Sequence, residues 1–382
     1  MNKAEKRKFF TEKLIQWDKK LNRRHMPWKG EKDPYKIWLS EVILQQTRVE
    51  QGLAYYERFV KKYPTVGKLA AAEEDKVFKL WEGLGYYSRC RNLLFSARYI
   101  AFEQKGEFPV SYEAILSLKG VGPYTAAAIA SFAYGLPYAV VDGNVTRVLA
   151  RFFGIGTAVD STEGKKFFAE LAQSLLHRTD PALYNQAIMD FGAVICKPQL
   201  PLCPQCPLQK ECTALKKNMV AALPAKEKKL IRKKRCFFYI IAEYGDRIYV
   251  RKRIEKDIWQ NLWEFISTEV PLKTTAEEFL SSPGFISVAG RNKALHISGV
   301  FTQKLTHRDI EAIFIHVKLR KPLQLAGYIA MSKKELGALA FPRIVNEFLG
   351  SGQGVEPCSQ RFCIFKNESF RPSDLSSGGI KR

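Results

Sequence analysis

Four cysteines lie within one short segment, and their spacing is the strongest local indication of chemistry in this sequence. They are separated by six, two and five residues, and prolines stiffen the loops between them. Thiolates this close together are typical of a metal site, with zinc and an iron–sulfur cluster as the competing candidates. We therefore predict a metal centre in residues 196–212, held by Cys196, Cys203, Cys206 and Cys212.

A glycine-rich turn between two helical segments predicts a binding site for a phosphate group. Gly120, Val121, Gly122 and Pro123 follow the helical pattern of residues 111–118. Glycine permits a tight turn and proline favours the first turn of a helix, which leaves backbone N–H groups pointing outward. Such N–H groups bind a phosphate.

An acidic residue follows the turn at the end of an apolar run. Asp142 lies eighteen residues after Tyr124 and directly precedes Gly143 and Asn144. A carboxylate there is expected close to whatever the turn binds. The alternative is an N-cap of the helix that begins at this point, and one residue can serve both purposes.

The composition limits the class of protein. A length of 382 residues favours two domains, and a net charge of +23 favours nucleic acid over a membrane surface as the partner. No apolar run reaches membrane-spanning length, and the charged N-terminus lacks the apolar core of a signal peptide. We therefore expect a soluble cytoplasmic protein, in which clustered cysteines serve a metal or catalysis before disulfides.

Helical periodicity dominates the first 215 residues, which we predict to be almost entirely α. Predicted helices cover residues 3–21, 35–63, 66–72, 74–81, 88–104, 144–153, 162–177 and 181–196, in addition to the two that flank the glycine turn. Residues 216–235 contain nine basic residues and one acidic residue, which predicts a solvated linker. It either lies along a phosphate backbone or forms no fixed contact.

An alternating pattern begins at Cys236 and predicts an α+β domain over residues 236–348. Residues 236–244 and 247–253 are separated by Gly245 and Asp246, which predicts a β-hairpin, and residues 311–319 predict a later strand. Residues 333–348 are expected to form a closing helix. The turn-rich tail 349–382, with Cys358 and Cys363, is expected to be disordered.

Three features together resemble the endonuclease III superfamily of DNA glycosylases, and within it the MutY-type adenine DNA glycosylases. They are the sequence LKGVGPYTA at 118–126, the sequence VDGN at 141–144 and the cysteine spacing at 196–212. The resemblance implies an all-α helix-hairpin-helix domain at 1–215, in which two subdomains flank a DNA-facing groove. It also implies that the four cysteines hold a [4Fe–4S] cluster.

Two positions distinguish the MutY type from the endonuclease III type. The second type forms a Schiff base through a lysine after the hairpin, which requires an amine, whereas this chain has Tyr124. Residues 38–47 match the MutY helix whose glutamate is the catalytic acid, and that residue here is Glu41. Without the resemblance, Glu41 would be interpreted as a solvated charge on a helix.

The resemblance implies a division of labour between two carboxyl groups. Glu41 would protonate N7 of adenine and Asp142, ionised, would stabilise the oxocarbenium-like sugar. Tyr124 would line the same pocket near Asp142, and Asn144 would orient a carboxylate or the water.

The target base must leave the helix stack to be reached. The resemblance implies a base pocket and a wedge that fills the gap left in the duplex, while Gly120 and Gly122 bind phosphate through their N–H groups and Val121 supports a cation through its carbonyl. The pocket residues would be Arg24, Trp28, Leu44 and Gln186, and the wedge residues Gln46 and Tyr86.

The segment RKRIEKDIWQNLWEFI resembles the start of the MutY C-terminal domain, a Nudix-like fold without the catalytic glutamate box. In that family an aromatic-Ser-His turn inspects 8-oxoguanine opposite the adenine. The corresponding residues here are Leu305, Thr306 and His307. Leucine cannot stack as an aromatic ring does, but the hydroxyl and imidazole groups are retained. The alternative is a polar turn before a strand.

The sequence therefore favours a monomeric, monofunctional glycosylase that removes adenine opposite 8-oxoguanine or guanine in double-stranded DNA. Two alternatives are a bifunctional lyase of the endonuclease III kind and a catalytically silent DNA-binding protein. Tyr124 argues against the first, and the pair Glu41 and Asp142 argues against the second. No membrane partner is expected, and in a bacterium the protein would associate with the nucleoid.

Overall fold

A computed structural model describes residues 2–227 and 231–352, which form two compact units divided between Ile231 and Arg232. The α-helices of unit 1 are α1 (Lys3–Leu21), α2 (Pro34–Leu44), α3 (Val49–Lys62), α4 (Val66–Ala70), α5 (Glu74–Trp81), α6 (Tyr87–Arg98), α7 (Tyr112–Leu116), α8 (Pro123–Tyr134), α9 (Gly143–Phe153), α10 (Thr162–Leu175), α11 (Pro181–Val194) and α12 (Thr213–Lys216). The predicted α character of this region is therefore confirmed.

Unit 1 consists of an inner block of helices inserted in sequence between the parts of an outer block. The outer block joins α1 to α9–α12, because Phe10 packs on Phe152 and Trp17 packs edge-on against Phe191. The inner block contains α2–α7, and α8 contacts both α2 and α11. The small side chains of α8, of which Ala126 to Ala130 are buried, permit this close packing on two sides.

The helix predicted over residues 35–63 is wrong in one respect, because the structure divides it into α2 and α3. The chain turns at residues 45–48, and Gln46 takes a left-handed backbone with φ of 56°. No glycine or proline marks this turn in the sequence. Helix α6 likewise ends at Arg98, and residues Tyr99–Glu103 continue as a π-helical turn.

The segment predicted as a solvated linker, 216–235, is largely exposed where it is described, but part of it packs against unit 1. Leu223 is buried in unit 1 and its carbonyl accepts a hydrogen bond from Arg151 at 3.0 Å. Ala225 pairs with Val159 through the backbone at 3.0 Å, and Lys233 already begins a strand. Apolar residues at 219–223 explain this packing, which the basic composition concealed.

Unit 2 is built on one mixed sheet with helices on both faces. Its strands are β1 (Lys233–Tyr244), β2 (Arg247–Lys252), β3 (Trp263–Val270), β4 (Ala294–Ile297), β5 (Phe301–Lys304), β6 (Arg308–Lys318) and β7 (Ile329–Ser332), and its helices are α13 (Ala276–Leu280), α14 (Pro283–Ala289), α15 (Lys333–Leu336) and α16 (Arg343–Gly350). The strand order is β4-β6-β1-β3-β2-β7, with β5 also paired to β6. Strands β1 and β6 are parallel, from Lys233 opposite Arg308 to Glu243 opposite Lys318.

The predicted β-hairpin and later strand are confirmed as β1, β2 and β6. The closing helix predicted at 333–348 is wrong, because two shorter helices, α15 and α16, occupy this region on either side of Pro342. Phe279 stacks on Phe238 on one face of the sheet, and Phe348 stacks on Phe314 on the other. Most of the tail predicted to be disordered, with Cys358 and Cys363, lies outside the described residues.

Candidate active site

Helix α2 carries a glutamate into the interior of unit 1. Asp33 caps the helix by accepting a hydrogen bond from the Tyr35 N–H at 2.9 Å, and Pro34 occupies its first turn. The helix is apolar on almost every side and is buried from Ile37 to Ile43. Glu41 is consequently only 6% exposed.

One cavity of about 820 Å³ brings together the predicted catalytic and base-binding side chains. It lies between the inner block and the outer block of unit 1, and its walls include α2, α8, α9, α11 and the segments before and after α2. The predicted residues that line it are Glu41, Asp142, Tyr124, Asn144, Arg24, Trp28, Leu44, Gln46 and Gln186.

The carboxyl group of Glu41 is poised to hold a proton near neutral pH. Burial raises the pKa of Glu41 to about 7, and the negative charge of Asp142 acts in the same direction. A hydrogen bond with the Tyr124 hydroxyl opposes this rise. Burial disfavours a carboxylate because a low-dielectric environment solvates the charge poorly. Glu41 therefore has the environment of a general acid.

Asp142 has more neighbouring groups that favour its ionised form than Glu41 has. It is the N-cap of α9 and accepts hydrogen bonds from the Val145 N–H at 2.7 Å and the Asn144 amide at 2.8 Å. Burial raises the pKa of Asp142, but these hydrogen bonds and the nearby charge of Arg147 oppose that rise. Asp142 therefore serves both as the N-cap of α9 and as a carboxylate that lines the cavity, the two roles considered from the sequence.

A chain of hydrogen bonds connects Asp142 to the cysteine loop. The Arg147 guanidinium donates to the Asn144 side-chain oxygen at 2.7 Å and to the Cys196 carbonyl at 2.8 Å. Gly192 allows α11 to approach α9 here, because a Cβ at this position would lie 2.6 Å from the Asn144 Cβ. Asn144 is therefore fixed from two sides.

The four clustered cysteines lie in one loop, and a second buried arginine anchors this loop. Arg151 is 4% exposed and donates to the carbonyls of Lys197 at 2.7 Å and Pro198 at 3.1 Å. One of its nitrogens lies 3.5 Å from the Cys196 Sγ. The loop residues Cys196, Cys203, Cys206 and Cys212 are half-buried free thiols. Burial raises the pKa of Cys196, Cys206 and Cys212. Among the described residues, no three ligating side chains are close enough to hold a single metal ion.

The glycine turn forms the predicted helix-hairpin-helix between α7 and α8. Gly120 has φ of +85°, and a Cβ there would lie 2.7 Å from the Asn92 Cβ, so only glycine fits. Gly122 is the N-cap of α8. Within the described chain neither glycine N–H donates to a backbone carbonyl, whereas the Val121 N–H donates to Leu118 at 3.0 Å.

The predicted wedge residues both lie in strained turns beside a second cavity. Gln46 and Tyr86 have φ of 56° and 47°, in the left-handed region that non-glycine residues rarely adopt. Both side chains are exposed, and both line a cavity of about 220 Å³ that also reaches Gly120. The geometry thus places the wedge candidates next to the hairpin.

The predicted base-pocket residues differ in how tightly they are held. Arg24 pairs at 2.8 Å with Asp190, a fully buried carboxylate that also pairs with Lys29 at 3.0 Å. Trp28 packs edge-on against Tyr56. The Gln186 amide has no hydrogen-bond partner within the described ranges, so it remains available to a ligand.

The predicted recognition turn of unit 2 connects β5 to β6. Leu305 closes it by donating its N–H to the Arg308 carbonyl at 2.7 Å, and the His307 carbonyl accepts from the Lys233 N–H at 3.2 Å. Leu305 and Thr306 are half-buried, and the His307 side chain is exposed. The turn therefore offers an imidazole to solvent and also fits the plain polar turn considered as the alternative.

Three buried arginines of unit 1 were not identified by the sequence-based prediction. Arg89, Arg147 and Arg151 are 8%, 7% and 4% exposed, and each donates to several backbone carbonyls. For two of them a signal existed, since Arg147 and Arg151 are four residues apart on the otherwise apolar face of α9. Arg89 lies between Ser88 and Cys90 without such a pattern.

Two family models match the chain. Residues 39–174 match the model described as HhH-GPD superfamily base excision DNA repair protein, which includes Glu41, the hairpin and Asp142. Residues 236–351 match the NUDIX domain. The expected combination of a helix-hairpin-helix domain and a Nudix-like domain is confirmed. Among the described residues, no helix has both the length and the apolar character needed to cross a membrane.

Similar structures support the fold of unit 1. A thermostable thymine-DNA glycosylase has a TM-score of 0.52 at 32% identity, over 56% of this chain and 98% of that one. A trapped endonuclease III–DNA covalent intermediate has a TM-score of 0.50 at 22% identity, over 57% of this chain and all of that one, and shows the fold alone.

Curated relatives extend the similarity across both units. The adenine DNA glycosylase of Buchnera aphidicola subsp. Schizaphis graminum is 33% identical over 311 residues, which are 81% of this chain and 88% of the relative. The human adenine DNA glycosylase is 42% identical over 214 residues, which are 54% of this chain and 39% of the relative. The chain therefore belongs to the adenine DNA glycosylase family, whose members are DNA glycosylases of base excision repair.

Proposed function

We propose that this enzyme hydrolyses the N-glycosidic bond of adenine placed opposite 8-oxoguanine or guanine, with Glu41 as the general acid and Asp142 as the stabilising carboxylate. The observation that carries the proposal is the pair of carboxyl groups on one cavity. Burial raises the pKa of both groups, that of Glu41 to about 7, while at Asp142 hydrogen bonds from Val145 and Asn144 oppose the rise. Carboxyl groups in contrasting environments can divide the acid and anion roles.

Proton donation by Glu41 makes adenine a better leaving group. Undamaged adenine is a poor leaving group until it is protonated, and a pKa of about 7 leaves Glu41 substantially protonated near neutral pH. Glu41 delivers its proton to N7 of the extruded adenine. The bond to the sugar then breaks with less charge on the departing base.

Asp142 acts on the sugar. Its carboxylate is anchored by Val145 and Asn144, so it faces the positive charge that develops on the sugar without having to reorganise. Asn144 is itself held by Arg147, which fixes the direction of its amide. The Tyr124 hydroxyl forms a hydrogen bond with Glu41 and lies within the electrostatic influence of Asp142. Water completes the hydrolysis.

The other walls of the cavity recognise the base. Gln186 offers a free amide that can pair bidentately with adenine, and Arg24, Trp28 and Leu44 form the surrounding surface. Gln46 and Tyr86 fill the gap that the base leaves in the duplex. Outside the cavity, Gly120 and Gly122 bind a phosphate through their N–H groups, and the Val121 carbonyl supports a cation.

The cysteine loop is proposed to hold a [4Fe–4S] cluster through Cys196, Cys203, Cys206 and Cys212. Four free, half-buried thiols on one short loop form a suitable donor set for an iron–sulfur cluster. The cluster would serve as a structural crosslink of residues 196–212. Arg151 and Arg147 would stabilise the loop through its carbonyls and through the Cys196 sulfur.

Unit 2 is proposed to recognise 8-oxoguanine through Leu305, Thr306 and His307. The exposed imidazole of His307 and the hydroxyl of Thr306 supply hydrogen-bonding groups at one hairpin turn. Leu305 contributes apolar contact in place of aromatic stacking.

We further propose that the enzyme is monofunctional and acts as a monomer on cytoplasmic DNA. A lyase step needs a free amine, but the residue after the hairpin is Tyr124. The two lysines that line the cavity are engaged, because Lys29 pairs with Asp190 at 3.0 Å and Lys32 donates to the Phe132 carbonyl at 3.0 Å.

The decisive experiment incubates purified enzyme with a duplex that contains adenine opposite 8-oxoguanine. We expect a strand break only after alkali, because hydrolysis leaves an abasic site with an intact backbone. A break without alkali would indicate the lyase. Strand scission that persists at the parent rate in Glu41→Gln would disprove the assignment of the acid.

A further inference from the structure

The buried arginine Arg89 connects the two turns that carry the proposed wedge residues. Its guanidinium donates to the carbonyls of Ile43 at 2.8 Å and Gln45 at 2.6 Å, at the end of α2. It also donates to the Gly85 carbonyl at 3.2 Å, in the turn before α6. One planar side chain therefore bridges segments about forty residues apart in sequence.

The contacts of Arg89 extend to the wedge side chain itself. The guanidinium lies 5.5 Å from the centre of the Tyr86 ring and 5.2 Å from that of Trp81, within the range of cation–π attraction. A further hydrogen bond joins it to the Thr47 hydroxyl at 3.3 Å. Residues on both sides of Gln46 thus contact the same guanidinium.

The charge of Arg89 has no acidic partner among the described residues. Its acceptors are carbonyl and hydroxyl oxygens, and burial lowers the pKa of Arg89 to about 10. Its compensation comes from the carbonyls at the C-terminus of α2, where the helix dipole favours a positive charge. Water would solvate the charge of a surface arginine, whereas the charge of the buried Arg89 depends on these surrounding carbonyls.

The backbone at both wedge residues needs external support. Gln46 and Tyr86 each have positive φ, which persists only where surrounding contacts determine it. Arg89 contacts residues on both sides of Gln46 and the residue that precedes Tyr86. The small cavity between the turns is lined by Arg89 and by Trp38, whose buried indole N–H has no partner in the described chain.

We infer that Arg89 is a positioning residue that locks the Gln46 and Tyr86 turns into one rigid wedge, so that both side chains enter the duplex together when the adenine is extruded. The inference rests on the wedge assignment in the proposed function. It predicts that Arg89 assists the step that unstacks the base and contributes little once the base is already unstacked. Arg89 itself does not need to contact the DNA.

The test compares Arg89→Lys with the parent in single-turnover excision from two duplexes. One has matched pairs beside adenine opposite 8-oxoguanine, and the other has mismatches on both sides, which reduce the cost of unstacking. Lysine keeps the charge but lacks the planar fork that reaches both turns. We expect the rate to fall at least about 10-fold on the matched duplex and less than about 3-fold on the mismatched one.

Two reference variants make the result specific. Arg98→Lys is the matched control, because Arg98 also donates to backbone carbonyls, those of Ala70 and Ala72, away from the wedge; it should leave both rates close to those of the parent. Tyr86→Ala should reproduce the difference between duplexes. If Tyr86→Ala lacks that difference, the wedge assignment fails. If Tyr86→Ala has it and Arg89→Lys does not, the role of Arg89 is refuted.

A measurement on the unmodified enzyme covers the case in which Arg89→Lys does not fold. Native-state hydrogen exchange in increasing urea reports the free energy at which each segment opens. We expect the amides of residues 45–47 and 84–86 to open in a single step. Separate opening of the two turns at different urea concentrations would overturn the inference.

Discussion

The burial of Glu41 predicts a measurable cost to stability that Glu41→Gln should remove. Burial raises the pKa of this carboxyl from 4.5 to about 7. A difference of about 2.5 units between the folded and unfolded chain corresponds to about 3 kcal/mol. Because the folded protein binds this proton more tightly, the contribution of Glu41 to stability is complete below pH 4.5 and is lost as the pH rises through about 7.

Glutamine retains the shape of the side chain and cannot ionise. The free energy of unfolding of Glu41→Gln minus that of the parent should therefore be up to about 3 kcal/mol larger above pH 7 than in acid. About 2.5 kcal/mol of this change should appear between pH 5 and pH 8.5. Excision should fall at least about 100-fold, because the proton donor is lost.

Urea unfolding at these two pH values provides the assay. Far-ultraviolet circular dichroism reports chiefly the helices of unit 1, where Glu41 lies. Glu57→Gln serves as the control, since Glu57 is exposed on α3 and its substitution should give nearly the same stability change at both pH values.

Two results would contradict the reasoning. A stability difference between Glu41→Gln and the parent that is the same at pH 5 and pH 8.5 would mean that Glu41 is already ionised in the folded protein. If the stability difference changes with pH as expected but Glu41→Gln still excises adenine, then Glu41 holds a buried proton without acting as the catalytic acid. The parent's excision rate should also decline as the pH rises through about 7, and a flat profile would count against Glu41 as the donor.

Three further predictions concern the remaining parts of the proposal. Asp142→Asn keeps the helix cap but loses the charge, so single-turnover excision should fall at least about 100-fold while a gel-shift assay shows unchanged DNA binding; a retained rate would exclude a charge role. Cys206→Ser should lower both the iron content and the urea midpoint of unit 1; unchanged iron content would refute the ligand assignment. His307→Ala should reduce the ratio of excision rates opposite 8-oxoguanine and guanine at least about threefold, whereas an unaltered ratio would remove this recognition site.

The sequence predicted the elements whose signals are local. Glycine and proline at 120–123 predicted the hairpin, and the alternation after Cys236 predicted β1 and β2. The same local rules failed at Gln46, where the chain leaves the helix without a glycine. Arg89, more than forty residues away, donates a hydrogen bond to the Gln45 carbonyl in that turn. Periodicity within one segment cannot reveal such a contact.

The candidate site was predicted through resemblance more than through physical pattern. Nothing in the composition around Glu41 distinguishes a buried acid from a solvated charge, because its burial depends on the packing of α2 against α8. The resemblance led us to expect that Asn144 orients a carboxylate. The continuation from Asn144 through Arg147 to the Cys196 carbonyl was not predicted, since it joins side chains and a backbone group far apart in sequence. Spacing identified the cysteine loop but not the arginines that support it.

The division of unit 1 into an inner and an outer block has a consequence for how the protein is made. Helix α1 leaves the ribosome before the other helices of unit 1, yet the partners of Phe10 and Trp17 are residues such as Phe152 and Phe191. At about 5–20 residues per second, α1 must wait on the order of ten seconds for them. The inner block can assemble during that interval, while the aromatic face of α1 remains uncovered and open to a chaperone. The excision pocket can close only when nascent α11 emerges.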